Sequence, residues 1–167
     1  MTLERLWAGW RAAYIEGVTA QPDPAGECLF CTLGALDDAE ALIVARGVHA
    51  FAVLNAFPYT SGHLMVTPCR HEADLDGLAV EEASEVMALT QQATTALKTA
   101  YRPDGLNVGI NLGRAAGAGI TGHVHVHALA RWNGDTNFMT SVAEARVIPE
   151  DLRATWEKLR GAWPRHP

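Results

Sequence analysis

The sequence predicts a single α+β domain built on a mainly antiparallel sheet, and three observations carry that expectation. Short β-like runs follow one another through tight connections bearing glycine or proline. One long amphipathic run separates an early group of strands from a later group, and a further helical run lies near the C-terminus. No internal repeat or shift in composition marks a second domain, and 167 residues suffice for one sizeable core.

Residues 1–17 hold Trp7, Trp10 and Tyr14 without a clear period and are expected to pack as an arm on the body or on a partner subunit. Residues 18–27, with Pro22, Pro24 and Gly26, read as a connector, so that 1–27 precede a core of 28–140 and an extension of 141–167. Ala41–Arg46 and Ala50–Leu54 flank Gly47 and suggest a hairpin; Pro58 and Gly62 then break the chain before a third strand, His63–Thr67. Over Glu81–Tyr101 the residues Ala83, Val86, Met87, Thr90, Ala93 and Leu97 recur at spacings of three and four, which gives one apolar helix face. Pro103, Asp104 and Gly105 end that helix. Leu106–Leu112 reads as a strand, Gly113–Gly122 as a small-residue loop, and Gly122–Trp132 as a strand of strict alternation. Leu152, Trp156, Leu159 and Trp163 fall at helical spacing after Pro149, with Glu150 and Asp151 at the positive end and Lys158 and Arg160 toward the other.

The formal charge of −6 argues against a binder of nucleic-acid polymers, which matches phosphates with basic stripes. Small phosphorylated ligands remain open. Glu4, Arg5, Arg11 and Glu16 interrupt the N-terminal segment, so it does not read as a signal peptide, and no run approaches the ~20 apolar residues of a membrane span. Three cysteines without a secretory signal argue against a disulfide framework. The expectation is a reduced, cytoplasmic protein.

His123-Val124-His125-Val126-His127 is the most informative segment. On a strand of period two, the three imidazoles share one face while Val124, Val126 and Ala128 take the other. Three histidines on one zinc are hard to arrange: His123 and His127 would lie about 13 Å apart at ~3.3 Å per residue, and so could meet a metal only from nearly opposite sides. Phosphorus chemistry suits them better. A neutral imidazole is a nucleophile near neutrality, and a second histidine on the same face can donate a proton to a departing phosphate oxygen. The preceding glycine- and alanine-rich loop lets backbone N–H groups approach phosphate oxygens, and Arg114 and Arg131 could add charge.

HVHVHAL is similar to the motif of the histidine triad family, and LNAFPYTSGHLMVTP resembles that family's segment carrying an asparagine eight residues before a histidine, here Asn55 and His63. LWAGWRAAYI and ARWNGDTNFM resemble the bacterial subgroup that contains diadenosine-tetraphosphate phosphorylases and related hydrolases. The resemblance implies a HIT-like fold, a homodimer whose two sheets join, and transfer of a nucleoside monophosphate group to water or phosphate through a covalent nucleotidyl-histidine. It puts the nucleophile at His125, within a catalytic set of His123, His125 and His127, and gives His127 the phosphates and the leaving group. Asn55 would bond the ribose hydroxyls and His63 would lie beside the site. Asn111 and Trp132 match positions near the phosphates and the distal nucleotide. Val53 and Met65 fall where the family places apolar walls for the base, though core packing would serve them equally.

One departure stands out. Phosphorylase-like members carry a serine in the loop where this chain has Ala118-Gly119-Ile120, so a side-chain contact to phosphate is missing and the backbone at Gly119 is left to serve.

Cys28-x-x-Cys31 offers half of a structural zinc site, an inert buried pair, or a redox motif; the last lacks the surrounding strand-to-helix pattern. The resemblance implies that His71 and His123 complete the zinc set. Two other functions compete: a nucleotide-binding regulatory module without turnover, and a zinc-dependent hydrolase using the triad as ligands. The second lacks an obvious carboxylate base nearby.

Overall fold

The computed structural model describes residues 28–135 and 150–164. The expected arm and connector, Pro149 and the end of the RWNGDTNFM segment lie outside them. Two short helices come first, α1 (Leu29–Ala35) and α2 (Asp38–Ala41), followed by strands β1 (Ile43–Arg46), β2 (Ala50–Leu54) and β3 (Leu64–Pro68). The long helix α3 (Val80–Tyr101) leads to β4 (Gly105–Ile110), β5 (Val126–Arg131) and finally α4 (Leu152–Ala162). The strands form one antiparallel sheet in the order β1-β2-β3-β5-β4.

Helix α3 covers one face of this sheet. Val86, Leu89, Ala93, Ala96 and Leu97 pack on Ala52, Leu54, Leu64, Val66, Val126, Ala128 and Ala130, and Trp156 and Leu159 of α4 close the same core. Alanines on both partners let helix and sheet approach closely, and each larger side chain buried there contributes about 1.5–3 kcal/mol. Met87, expected on the buried face, is instead exposed, and Leu89 takes its place. Asp151 caps α4 by accepting the N–H of Ala154 at 2.9 Å, so the helix starts at Leu152, three residues after Pro149. The Trp156 indole donates to the carbonyl of Ile43 at 2.8 Å and ties α4 to the first strand.

The opposite face carries a smaller cluster, Phe30, Ala41, Ile43, Phe51, Val53 and Met65, under α1 and α2. Register places Ile43, Val53, Met65 and His127 in one row across four strands. The histidines therefore adjoin this smaller core, away from α3. The triad segment departs from the expected strand: β5 begins only at Val126, so His123, Val124 and His125 precede the ladder. Val124 pairs outside it, donating to Glu72 O at 2.7 Å and accepting the Thr67 hydroxyl at 3.0 Å.

Candidate active site and metal centre

His125 is buried at the mouth of β5, with Nδ1 2.8 Å from the carbonyl oxygen of His123. A carbonyl only accepts, so Nδ1 carries the proton and Nε2 keeps its lone pair. Burial pushes the His125 pKa down, which keeps the ring neutral and nucleophilic. Phe30 packs on it with ring centroids 4.9 Å apart, and also meets His123 edge-on at 5.3 Å.

A second chain of bonds sets His127. The N–H of Tyr59 donates to His63 Nδ1 at 3.2 Å, which makes that nitrogen an acceptor. His63 Nε2 therefore bears the proton and donates to His127 Nδ1 at 2.9 Å. His127 in turn must hold its own proton on Nε2, as a donor. Its ring lies 4.8 Å from that of His125. Burial foremost, and then the neighbouring His125, lower the His127 pKa to about 4. One backbone amide thus propagates a tautomer through two imidazoles. The result is one ring presenting a lone pair and a neighbouring ring presenting an N–H.

Asn55 follows Leu54, the last residue of β2, beside this pair. Its Oδ1 accepts the N–H of Phe57 at 2.9 Å, and its amide nitrogen lies 3.3 Å from His63 Nδ1. An amide has two donors and two lone-pair sites, so capacity remains for a ligand. Asn111 follows the last residue of β4, Ile110, which pairs with Val126, and so stands toward the His125 end of the site. Gly119 is exposed in the loop that precedes the histidines, where Gly117 holds φ +90°. Met65 sits next to His127 in the sheet, but Val53 is 0% exposed and Met65 5%, so both serve as core as they stand. Leu33, Leu36 and Ile120, partly buried on the same cluster, provide its accessible apolar surface.

Trp132 is not brought to the triad. It continues the face of β5 that carries Ala128 and Ala130, packs with the α3 core and meets Tyr101 edge-on at 6.2 Å. Arg131 is engaged by Asp135 at 2.6 and 2.7 Å and by Asn107 at 2.7 Å.

Four further side chains converge behind His125. The ligand atoms of Cys28, Cys31, His71 and His123 all lie within 4.8 Å of one another. His123 Nδ1 is 3.2 Å from Cys28 Sγ and 3.8 Å from Cys31 Sγ, and His71 Nδ1 is 3.5 Å from Cys31 Sγ. A tetrahedral zinc with bonds of about 2.3 Å to sulfur and about 2.1 Å to nitrogen sets S···N edges near 3.6 Å. The cluster fits. The orientation of His123 agrees, because Nε2 meets Pro68 O at 3.0 Å, which puts the proton there and turns the Nδ1 lone pair to the thiols. Burial and the adjoining Cys28 raise the Cys31 pKa, so a second thiolate beside Cys28 is disfavoured unless a cation lies between the two sulfurs. Cys69, the third cysteine, is exposed and lies outside this cluster.

Sequence reasoning missed α1 and Phe30. Two cysteines three apart are one helical turn apart, and that spacing was the available signal.

The HIT domain family model matches residues 37–134. A Mycobacterium tuberculosis protein named AP-4-A phosphorylase is 43% identical over 169 positions, covering 99% of this chain and 87% of its own length. An adenosine 5'-monophosphoramidase of Schizosaccharomyces pombe is 26% identical over 79% of this chain and 95% of its own. Among solved structures, a Zn-bound histidine triad family protein from Mycobacterium smegmatis has a TM-score of 0.67 at 30% identity, over 81% of this chain and 92% of that one.

Proposed function

The chain belongs to the HIT domain family, and from that premise we propose that it transfers a nucleoside monophosphate group from a dinucleoside polyphosphate to phosphate or water through His125. The observation that carries this reading is the 2.8 Å bond from His125 Nδ1 to the His123 carbonyl, which leaves the Nε2 lone pair available for attack. In the first step the Nε2 lone pair forms a bond to the α-phosphorus. The bridging P–O bond breaks, and its electrons leave with the departing nucleotide, whose terminal oxygen takes a hydrogen bond from His127 Nε2–H. The His123 carbonyl, still holding the Nδ1 proton, stabilises the positive charge that the imidazole acquires. In the second step an oxygen of phosphate, or of water that gives up a proton to solvent as it attacks, forms a bond to the phosphorus; the P–Nε2 bond breaks, its electrons return to Nε2, and the neutral ring is restored.

Asn55 is assigned to the ribose, and Asn111 and the backbone around Gly119 to phosphate oxygens. Val53 and Met65 support the base pocket from behind, with Leu33 and Ile120 in front. Trp132 reaches a nucleotide only if the substrate or a partner subunit extends past the end of β5.

Cys28, Cys31, His71 and His123 would hold a structural zinc. Such an ion supplies no chemistry to the reaction; it fixes α1 to the loop that carries His123. A homodimer is supported by β4, which among the described residues is an edge strand, with Val108 48% exposed, and could extend its ladder to a second copy. Among the described residues no helix is long and apolar enough to cross a membrane. Cys28, Cys31 and Cys69 form no disulfide among the described residues, and reduced cysteines, zinc-bound or not, suit the reducing cytoplasm.

The deciding experiment uses diadenosine tetraphosphate with a rapid denaturing quench at alkaline pH. An adenylylated peptide containing His125 should be recovered and should be absent from His125→Ala. Product analysis identifies the acceptor, ATP plus ADP with phosphate and ATP plus AMP with water. Turnover by His125→Ala at the parental rate would end the proposal, and full binding without turnover by the parent would favour a regulatory module.

A further inference from the structure

We propose that Tyr59 and Phe57 form the wall against which the base of the departing nucleotide rests; this depends on the nucleotidyl transfer proposed above. The two sides of the site differ in what flanks them. Phe30 packs on His123 and His125, the nucleophile side. Tyr59 packs on His63 with centroids 4.7 Å apart and lies nearly parallel to His127, at 6.2 Å and 27°. In-line displacement sends the leaving group away from the attacking nitrogen, and the N–H that assists departure belongs to His127. The departing half of the substrate therefore leaves over the Tyr59 side.

The loop there is built to present rings. Its ends are closed by Asn55 N–H to His63 O at 3.0 Å and His63 N–H to Thr60 O at 3.3 Å, and Asn55 Oδ1 holds the N–H of Phe57. On this fixed loop Phe57 is 84% exposed and Tyr59 42%. Phe57 joins neither apolar cluster among the described residues. An exposed aromatic pair beside a phosphate-transfer site suits a flat heteroaromatic base, which stacks without needing a particular hydrogen-bond pattern.

The test compares two ligands with the same phosphate chain, diadenosine tetraphosphate and adenosine 5'-tetraphosphate, which lacks the second nucleoside. Binding is measured by titration calorimetry in a His125→Ala background, where turnover does not intrude. Phe57→Ala and Tyr59→Ala should each weaken the dinucleotide about three- to tenfold and leave the mononucleotide within about twofold, while Tyr59→Phe retains the stack. Equal losses for both ligands, or none, would overturn the assignment. So would a Phe57→Ala variant that keeps both affinities but loses its dimer in sedimentation, since Phe57 would then be a subunit contact. Failure of the His125→Ala background to bind either ligand would overturn the functional reading itself, and this inference with it.

Discussion

His63→Ala isolates the tautomer chain from the rest of the site. His63 is buried and makes no contact of its own with the reacting phosphorus in the proposed mechanism. What it supplies is one N–H to His127 Nδ1 at 2.9 Å, itself fixed by the Tyr59 amide. Alanine removes that donor and leaves a buried acceptor unpaired, a loss of about 1–3 kcal/mol. The proton of His127 is then free to occupy Nδ1, and the donor facing the leaving group is lost for that fraction of molecules. If the whole loss reaches the transition state, kcat falls by roughly five- to 150-fold at about 1.4 kcal/mol per tenfold. The fall should depend on the leaving group. An adenylyl ester of a nitrophenol departs without a proton and should slow little, whereas a phosphoramidate that releases an alkylamine should slow most. His63→Gln, whose amide can donate from a similar place, should recover part of the rate. Steady-state kinetics on the two substrates, with melting curves as a control for folding, decides the matter. Equal losses on both substrates in a folded variant would refute the chain of tautomers and reduce His63 to packing.

Other perturbations give further checks. Cys28→Ser should lower the melting temperature and the zinc content measured by elemental analysis, and chelation should destabilise the parent but not the variant; metal-free parent protein with an unchanged melt would remove the zinc. Glu82 accepts both Arg70 Nε and Nη2 at 2.8 Å and the N–H of Ala79 at 2.8 Å, and the Arg70 guanidinium foremost lowers its pKa to about 2. A folded pKa below the unfolded value of about 4.3 gives stability that is full at neutrality and lost as pH falls from about 4 through 2. Glu82→Gln should therefore flatten acid unfolding in that window, followed by circular dichroism, and parallel curves would contradict the pairing. Gly119→Ser should raise the ADP share when diadenosine tetraphosphate is turned over with phosphate, because a hydroxyl adds a contact worth roughly 1 kcal/mol. An unchanged product ratio would show that the backbone already suffices.

Much of this architecture was legible in the sequence where period and punctuation coincide. β2 runs over Ala50–Leu54 as expected, because Gly47 and the Asn55–Gly62 turn bound it on both sides. The long helix begins one residue before its expected start, yet its buried stripe includes Leu89 and leaves Met87 out. Alanines on several faces blur the apolar signal, so Met87 was taken for Leu89. Helix α1 has seven residues, too few for periodicity to speak, and its position rests on long-range packing of Phe30. Trp132 obeys the alternation of β5, and that same alternation turns it to the α3 side, a consequence available from the sequence once the strand's two faces had been assigned. The sequence leaves Val53 and Met65 open between pocket wall and core. Their lack of exposure follows from a central position in the sheet beneath α1, which no local pattern reveals.

The main departure from sequence expectation bears directly on the proposed chemistry. Alternation in HVHVHAL suggests one continuous strand, and a continuous ladder would engage the carbonyl of His123 with a neighbouring strand. The β3–β5 ladder instead stops at Val66 and Val126. Beyond it Thr67 and Glu72 satisfy Val124 from the side, and the His123 ring is held between the thiols and Pro68 O. The His123 carbonyl is then released from sheet pairing and turns to the ring two residues on, where it fixes the tautomer of His125. Only His127 stays in the ladder, which holds it rigidly beside Met65 and within reach of His63. A period-two sequence thus delivers three imidazoles to one region, and the early end of the strand gives each a separate task. His123 faces the thiols, His125 keeps a lone pair, and His127 offers a proton. Extending the ladder by three residue pairs, as far as His123, would draw that carbonyl into sheet pairing and away from the His125 ring, so in the proposed mechanism the break serves the chemistry as well as ending the sheet.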